Sequence, residues 1–155
     1  SVSQNKASVS CAPFTYAYRW SNPDTWGGDI PPIAQDAVYV PKGMVLLVDQ
    51  STPNLKSIIV EGSIIFADED DYMIETGSIV VNFGVFQAGT EAKPYQHRLT
   101  FLLHGDYYDK QLPGMGNKVI GCHCCKFSMH GKPRDKTWTE LAATVNPGAT
   151  SITLR

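Results

Sequence analysis

The sequence predicts an all-β domain arranged as a solenoid-like, parallel β-helix-like stack of short strands. Three observations lead there. Short runs rich in Val and Ile recur from Ala37 onward, about eight to ten residues apart. Glycines at positions 62, 77, 84 and 89 fall at the ends of such runs, where a chain turns. Residues 60–66 (VEGSIIF) and 81–89 (VNFGVFQAG) read as variations on one unit, the mark of a repeating architecture. A β-sandwich is the alternative, since it too is built from short strands of alternating polarity.

The elements follow in order. Residues 1–13 are polar and Ser-rich and read as a lead-in or linker, and residues 14–155 as one domain. Phe14, Tyr16, Tyr18 and Trp20 alternate with Thr15, Ala17 and Arg19 at the period of a strand. Residues 21–32 (SNPDTWGGDIPP) are dense in turn formers and predict a loop, in which Trp26 needs a pocket. Strands are then expected at 37–40, 44–48, 55–60, 63–67, 72–75, 78–82, 85–88, 99–103, 118–122 and 127–129. One helix is expected near the C-terminus. Thr137 is a potential N-cap for residues 137–145 (TWTELAATV), Glu140 completes a capping box, and Pro147-Gly148 stops the segment. The alternation at 150–154 reads as a last strand.

The chain of 155 residues has the length of one domain. A domain of this size buries about 68–70% of its unfolded surface, enough for a core without staples. Hydrophobic residues make up 43%, which excludes intrinsic disorder. A net charge of -2 leaves no basic surplus with which to neutralise a nucleic-acid backbone. No apolar run approaches the roughly 20 residues of a membrane span, so no membrane contact is expected. The chain begins SVSQNKASVS, without Met or an apolar signal core, and is expected to be part of a longer protein.

Several residues could carry chemistry. Cys122-His123-Cys124-Cys125 groups zinc-ligand types. In one regular strand, however, Cys122 and Cys124 would face away from His123 and Cys125, so no metal is expected there. Buried thiols are one alternative, and a disulfide from Cys11 to one of Cys122, Cys124 or Cys125 is another. His104 and His130 each close a strand before Gly, in LLHG and SMHG, an echo that suggests equivalent positions. With Asp106 and Asp109 they are the weak candidates for acid–base work. Asp68, Glu69, Asp70 and Asp71 could offer oxygens to calcium, although they lack the alternating spacing of a calcium loop. No nucleophile elbow, phosphate loop, HExxH or dinucleotide fingerprint is present.

Seven segments taken together resemble the G8 domain, named for its eight glycines. They are residues 25–32 (TWGGDIPP), 40–49 (VPKGMVLLVD), 58–66 (IIVEGSIIF), 84–97 (GVFQAGTEAKPYQH), 99–105 (LTFLLHG), 116–131 (GNKVIGCHCCKFSMHG) and 136–154 (KTWTELAATVNPGATSITL). The matching glycines are drawn from Gly27, Gly28, Gly43, Gly62, Gly84, Gly89, Gly105, Gly116 and Gly131. The family includes fibrocystin, fibrocystin-like proteins and a cell-surface hyaluronidase, and the KTWTELA tail is most similar to the fibrocystin-like group. The segment before KFSMHG departs from the pattern, with CHCC where small residues or glycine are usual. The resemblance implies a module of large secreted or membrane-anchored proteins, commonly preceding parallel β-helix repeats.

Two functions follow as expectations. The first is a non-enzymatic extracellular module that caps a longer β-helix. Its partners would be the neighbouring β-helix and a glycan such as hyaluronan or another extracellular protein. Trp20, Trp26, Tyr107 and Tyr108 are the aromatic candidates for stacking on sugar faces. The second, implied by the hyaluronidase branch, is a part of a hyaluronan-binding or hyaluronan-depolymerising enzyme.

Overall fold

A computed structural model describes residues 16–109 and 111–155; the expected lead-in and Cys11 lie outside them. The described chain forms eleven strands: β1 (Ala17–Arg19), β2 (Ala37–Val40), β3 (Val45–Val48), β4 (Ser57–Val60), β5 (Ser63–Phe66), β6 (Tyr72–Thr76), β7 (Ile79–Asn82), β8 (Val85–Ala88), β9 (Leu99–Leu103), β10 (Ile120–His123) and β11 (Lys126–Met129). They make three sheets, ordered β1-β3-β5-β8-β11, β10-β7-β4-β2 and β6-β9. Every pairing between these strands is parallel. Neighbours in sequence, such as β4 and β5, sit in different sheets, and each strand pairs with its counterpart one coil away. That is a coiled stack of parallel strands. A sandwich would pair its strands antiparallel.

Alternation along β2 to β8 sends every second residue inward, as in the pattern exposed-buried-exposed-buried of β2. The register then aligns inward residues into columns. Val38, Ile58, Ile79 and Ile120 form one, and Val40, Val60, Val81 and Cys122 a second. Leu46, Ile64, Phe86 and Phe127 form a third on the opposite sheet. Fully burying such a side chain contributes about 1.5–3 kcal/mol. Corners between strands are tight. At Gly84 a Cβ would lie 2.6 Å from the carbonyl oxygen of Gly62 and 2.8 Å from that of Val60. Glycine is required there because the coil above passes directly over the corner. Gly62 meets the backbone of Pro41 and Met44 in the same way. Gly89 has φ +67, with Tyr95 and His130 close above it. Gly43, Gly105 and Gly116 also hold positive φ, whereas Gly131 has neither positive φ nor a close neighbour.

The two ends of the stack differ. At the first coil, Trp20 follows β1 and is completely buried. Its ring meets Trp26 edge-on at 5.1 Å, and the Trp26 Nε1–H donates to the Trp20 carbonyl at 2.8 Å. Pro23–Trp26 is a single 3₁₀ turn capped by Asn22, which explains how the Pro- and Gly-rich loop brings Trp26 back over Trp20. Arg19 ties β1 to later coils through Asp49 at 3.1 Å and Glu69 at 3.2 Å. At the last coil, Phe127 and Met129 are 43% and 49% exposed, although their counterparts Phe86 and Ala88 are buried.

The C-terminal expectations need correction. Residues 137–145 form no helix; the 3₁₀ turn at Pro23–Trp26 is the one helical segment among the described residues. A helix this short is marginal unless tertiary packing supports it. Trp138, Leu141 and Val145 would have formed its apolar face, yet all three are exposed. Leu141 instead bridges antiparallel to Leu154, and Ala142 N–H donates to the Thr153 carbonyl at 2.9 Å. Pro147-Gly148, expected to stop a helix, turns this hairpin-like loop, with Gly148 at φ +89. Residues 150–154 form no strand beyond that one bridge. β10 begins at Ile120 rather than Lys118, because Lys118 holds φ +49, a turn conformation.

Candidate functional site

The cysteine cluster sits at the open last coil. β10 ends at His123 and β11 begins at Lys126, so Cys124 and Cys125 form a corner. Cys124 has φ +47, matching Phe83 at φ +54 in the corner one coil earlier. Cys125 precedes Lys126 as Gly84 precedes Val85, and Lys126 pairs with Val85. It therefore takes a place that glycine holds in the two previous corners. This turn breaks the regular alternation assumed from the sequence. Cys122 and Cys125 come together as a disulfide with Cα atoms 5.5 Å apart, and Cys124 is exposed and has no disulfide partner among the described residues. The local disulfide takes Cys122 and Cys125, so of the partners expected for Cys11, which lies outside the described residues, Cys124 is left. His123 is held aside, its Nδ1 donating to the Asn82 side-chain oxygen at 2.8 Å.

The acid–base candidates separate into two places. His104 follows β9 and His130 follows β11, in different sheets, so their shared HG ending marks no structural equivalence. His104 Nε2 donates to Glu75 Oε2 at 2.8 Å, a pairing made by the β6–β9 register. His104 borders a cleft of about 560 Å³, with Asp109, Lys56, Lys118 and Asn117 among its other lining residues. Asp109 lines this cleft with His104, but the hydrogen bonds of Asp106 and Asp109 run within their own loop. Asp109 Oδ2 accepts from Asp106 N–H at 2.7 Å, and Asp106 Oδ1 accepts from Tyr108 N–H at 2.8 Å, so both carboxylates hold the loop in shape.

The acidic turn is structural as well. Asp68 accepts from the Gln96 and His97 amides and from His97 Nδ1 at 2.8 Å. Asp71 accepts from Arg98 N–H, and Glu69 pairs with Arg19. Asp70 accepts from Asp71 N–H. The calcium expectation at Asp68, Glu69, Asp70 and Asp71 fails on this geometry: each is directed to its own partner, and among the described residues no three metal-ligand side chains converge. The Asp68–His97 pair escaped the sequence reading, because only the β6–β9 register shows that the two meet.

That pair predicts a pH dependence. Burial pushes the Asp68 carboxyl up, but hydrogen bonds from the His97 ring and the two amides outweigh it and leave it below the usual carboxylate value. The bond to Asp68 raises the His97 imidazole above its ordinary value, although desolvation opposes this. Stability from the raised imidazole is complete below about pH 6.5 and is lost as pH climbs through the folded pKa. Stability from the lowered carboxyl is complete above about pH 3.9 and is lost as pH falls through its folded pKa. The loss of thermal midpoint in His97→Asn should therefore be largest near pH 5–6 and smaller at pH 9. Melts showing the same loss at both values would refute the coupling.

The aromatic candidates divide by burial. Trp20 is excluded from stacking on a sugar, since it is wholly inside, and Trp26 is half-buried against it. Their size suits them to closing the first coil. Tyr107 and Tyr108 are 82% and 90% exposed, with rings 5.5 Å apart in a T-shaped pair.

The sequence profile of the G8 domain matches residues 25–142. The chain belongs to the G8-domain family. This G8 domain is 37% identical over 150 residues to fibrocystin-L of Mus musculus and 36% identical to fibrocystin-L of Homo sapiens, covering 96% of the chain in both cases. It is 29% identical to fibrocystin of Mus musculus over 91% of the chain. The G8 chain spans only 4% of the length of these relatives. No solved structure matches it. Among the described residues, no helix is long and apolar enough to cross a membrane.

Proposed function

We propose that this G8 domain is a non-enzymatic extracellular module that closes one end of a longer β-helix and offers its other end to the next coil. The observation that carries the reading is the difference between the ends. Trp20 and Trp26 seal the first coil, whereas Phe127 and Met129 stand half-open at the last. Among the described residues β10 and β11 are edge strands, as β1 and β2 are at the first coil, and such edges are the groups with which a following parallel strand would pair. The partner is thus a neighbouring β-helix of the parent polypeptide. An extracellular setting is supported by the similarity to fibrocystin-L and by the Cys122–Cys125 disulfide, since such bonds persist in oxidising compartments. In a longer chain that carries the segment after Arg155, the domain's thermal midpoint should rise. Two separate transitions, with this domain's midpoint unchanged, would make it an independent bead. A glycan partner belongs to the same reading, since Tyr107 and Tyr108 expose aromatic faces.

A second reading, part of a hyaluronan-depolymerising enzyme, rests on the His104–Glu75 pair beside its cleft. Release of reducing ends from high-molecular-weight hyaluronan, abolished in Glu75→Gln, would establish it. No release by the folded protein would leave the structural reading standing.

A further inference from the structure

Past β11 the chain continues in extended form against the excursion between β8 and β9. His130 N–H donates to the Ala88 carbonyl at 2.9 Å, Tyr95 N–H donates to the His130 carbonyl at 2.7 Å, and Lys132 N–H donates to the Tyr95 carbonyl at 3.0 Å. These bonds pin residues 130–132 beside Tyr95, and Tyr95 and Gly131 form a parallel bridge. An extended chain places alternate residues on one side. The alternate residues here are His130, Lys132 and Arg134, and all three line a cleft of about 440 Å³. The intervening positions are Gly131 and Pro133, which add no competing side-chain charge.

The other wall of the cleft includes His97, and Leu99 and Met129 add apolar surface. Among the described residues no Asp or Glu lines it. The acid adjoining this wall, Asp68, already accepts from the His97 ring and from two backbone amides. Two permanent cations and two imidazoles, one of them already paired with Asp68, therefore line one concavity in a chain whose net charge is -2. The volume lies within the usual range for small-ligand clefts.

We propose that this cleft binds an oxyanion carried on a saccharide, a sulfate ester or a uronate carboxylate. Lys132 and Arg134 supply the charge, Arg134 offers the fork that matches such oxyanions, and the apolar surface receives the sugar's C–H face. A nucleic-acid duplex is disfavoured. It presents a charge about every 1.7 Å along a rod, and the basic residues here are gathered in a single cleft. The proposal rests on the glycan part of the preceding reading and deepens it by assigning a site separate from Tyr107 and Tyr108; the site adjoins the open last coil, with which it shares Met129.

The test measures binding of the whole chain to a heparin oligosaccharide, a hyaluronan oligosaccharide and a DNA duplex of similar charge at low salt. Lys132→Gln/Arg134→Gln should weaken saccharide binding by about five- to tenfold, the loss expected for two exposed charge contacts. Both residues are exposed, so the variant should keep the parent's melting profile. Preference for heparin assigns the sulfate ester, and equal binding of hyaluronan assigns the carboxylate. Binding of neither saccharide overturns the site. So does saccharide binding that the double variant leaves intact, whether or not Tyr107→Ala/Tyr108→Ala removes it; removal there would preserve a glycan role elsewhere on the domain. DNA binding as tight as heparin binding, and equally sensitive to the double variant, overturns the saccharide class.

Discussion

Phe86→Ala should destabilise the domain by about 3–5 kcal/mol, the cost of emptying a large buried aromatic site. Phe86 is completely buried and lies at the centre of an aromatic ladder. Its ring is 5.1 Å from Phe66, 5.6 Å from Phe101 and 4.5 Å from Phe127, the last nearly parallel at 5°. The ladder joins two sides of the interior, since Phe66 and Phe86 come from one sheet in adjacent coils and Phe101 from the β6–β9 sheet. Removing its centre leaves a cavity that the hydrogen-bonded coils cannot close by moving together. For a chain of this length the midpoint should fall by roughly 6 °C or more. Phe127→Ala is the informative comparison. Phe127 is already 43% exposed, so it should cost much less in the isolated domain. Equal losses at the two positions would show that the last coil is as well packed as the one before it, against the open-ended arrangement.

Gly84→Ala should lower stability by about 1–3 kcal/mol, the range for forcing extra atoms into a packed position. The obstruction is backbone. The Gly62 carbonyl, which a Cβ would approach to 2.6 Å, also accepts from Val85 N–H at 2.8 Å. Relieving the clash therefore means spreading two coils and weakening the bonds between them, and no side chain can rotate away instead. Gly131→Ala serves as the control, since nothing lies within 4 Å of its added Cβ and its φ is ordinary. Thermal unfolding of the two variants checks the prediction. A Gly84→Ala midpoint indistinguishable from that of Gly131→Ala would mean that the corner yields freely.

Much of the stack was legible because inward columns demand Val, Ile and Leu at every second place, and tight corners demand glycine. Ala37–Val40 and Val85–Ala88 therefore have the same bounds in sequence and in structure. The candidate site was far less legible. His104 was singled out with Asp106 and Asp109, yet its partner is Glu75, which strand register alone brings within 2.8 Å. Lys132 and Arg134 drew no attention, since their shared direction with His130 follows from an extended path pinned to Tyr95. The helix expected at residues 137–145 shows the opposite failure. Its capping pattern is sound locally, but no apolar surface covers Trp138 and Leu141, and the chain pairs Leu141 with Leu154 instead.

By itself the sequence determined the strand period, the corner positions and the all-β class, because those depend on residues close together in the chain. Tertiary structure alone decided which strands lie side by side. Parallel coils bring together residues far apart in sequence, and nothing local specifies that Asp68 meets His97 or that Tyr95 meets His130. The same holds for Cys122 and Cys125, whose pairing required the strand to stop at His123 and turn through Cys124. A regular strand would have kept their side chains on opposite faces. Burial, too, was a tertiary outcome: Cys122 and Phe127 occupy the same inward columns as Val81 and Phe86, yet they are left uncovered because no further coil of the described chain lies over them.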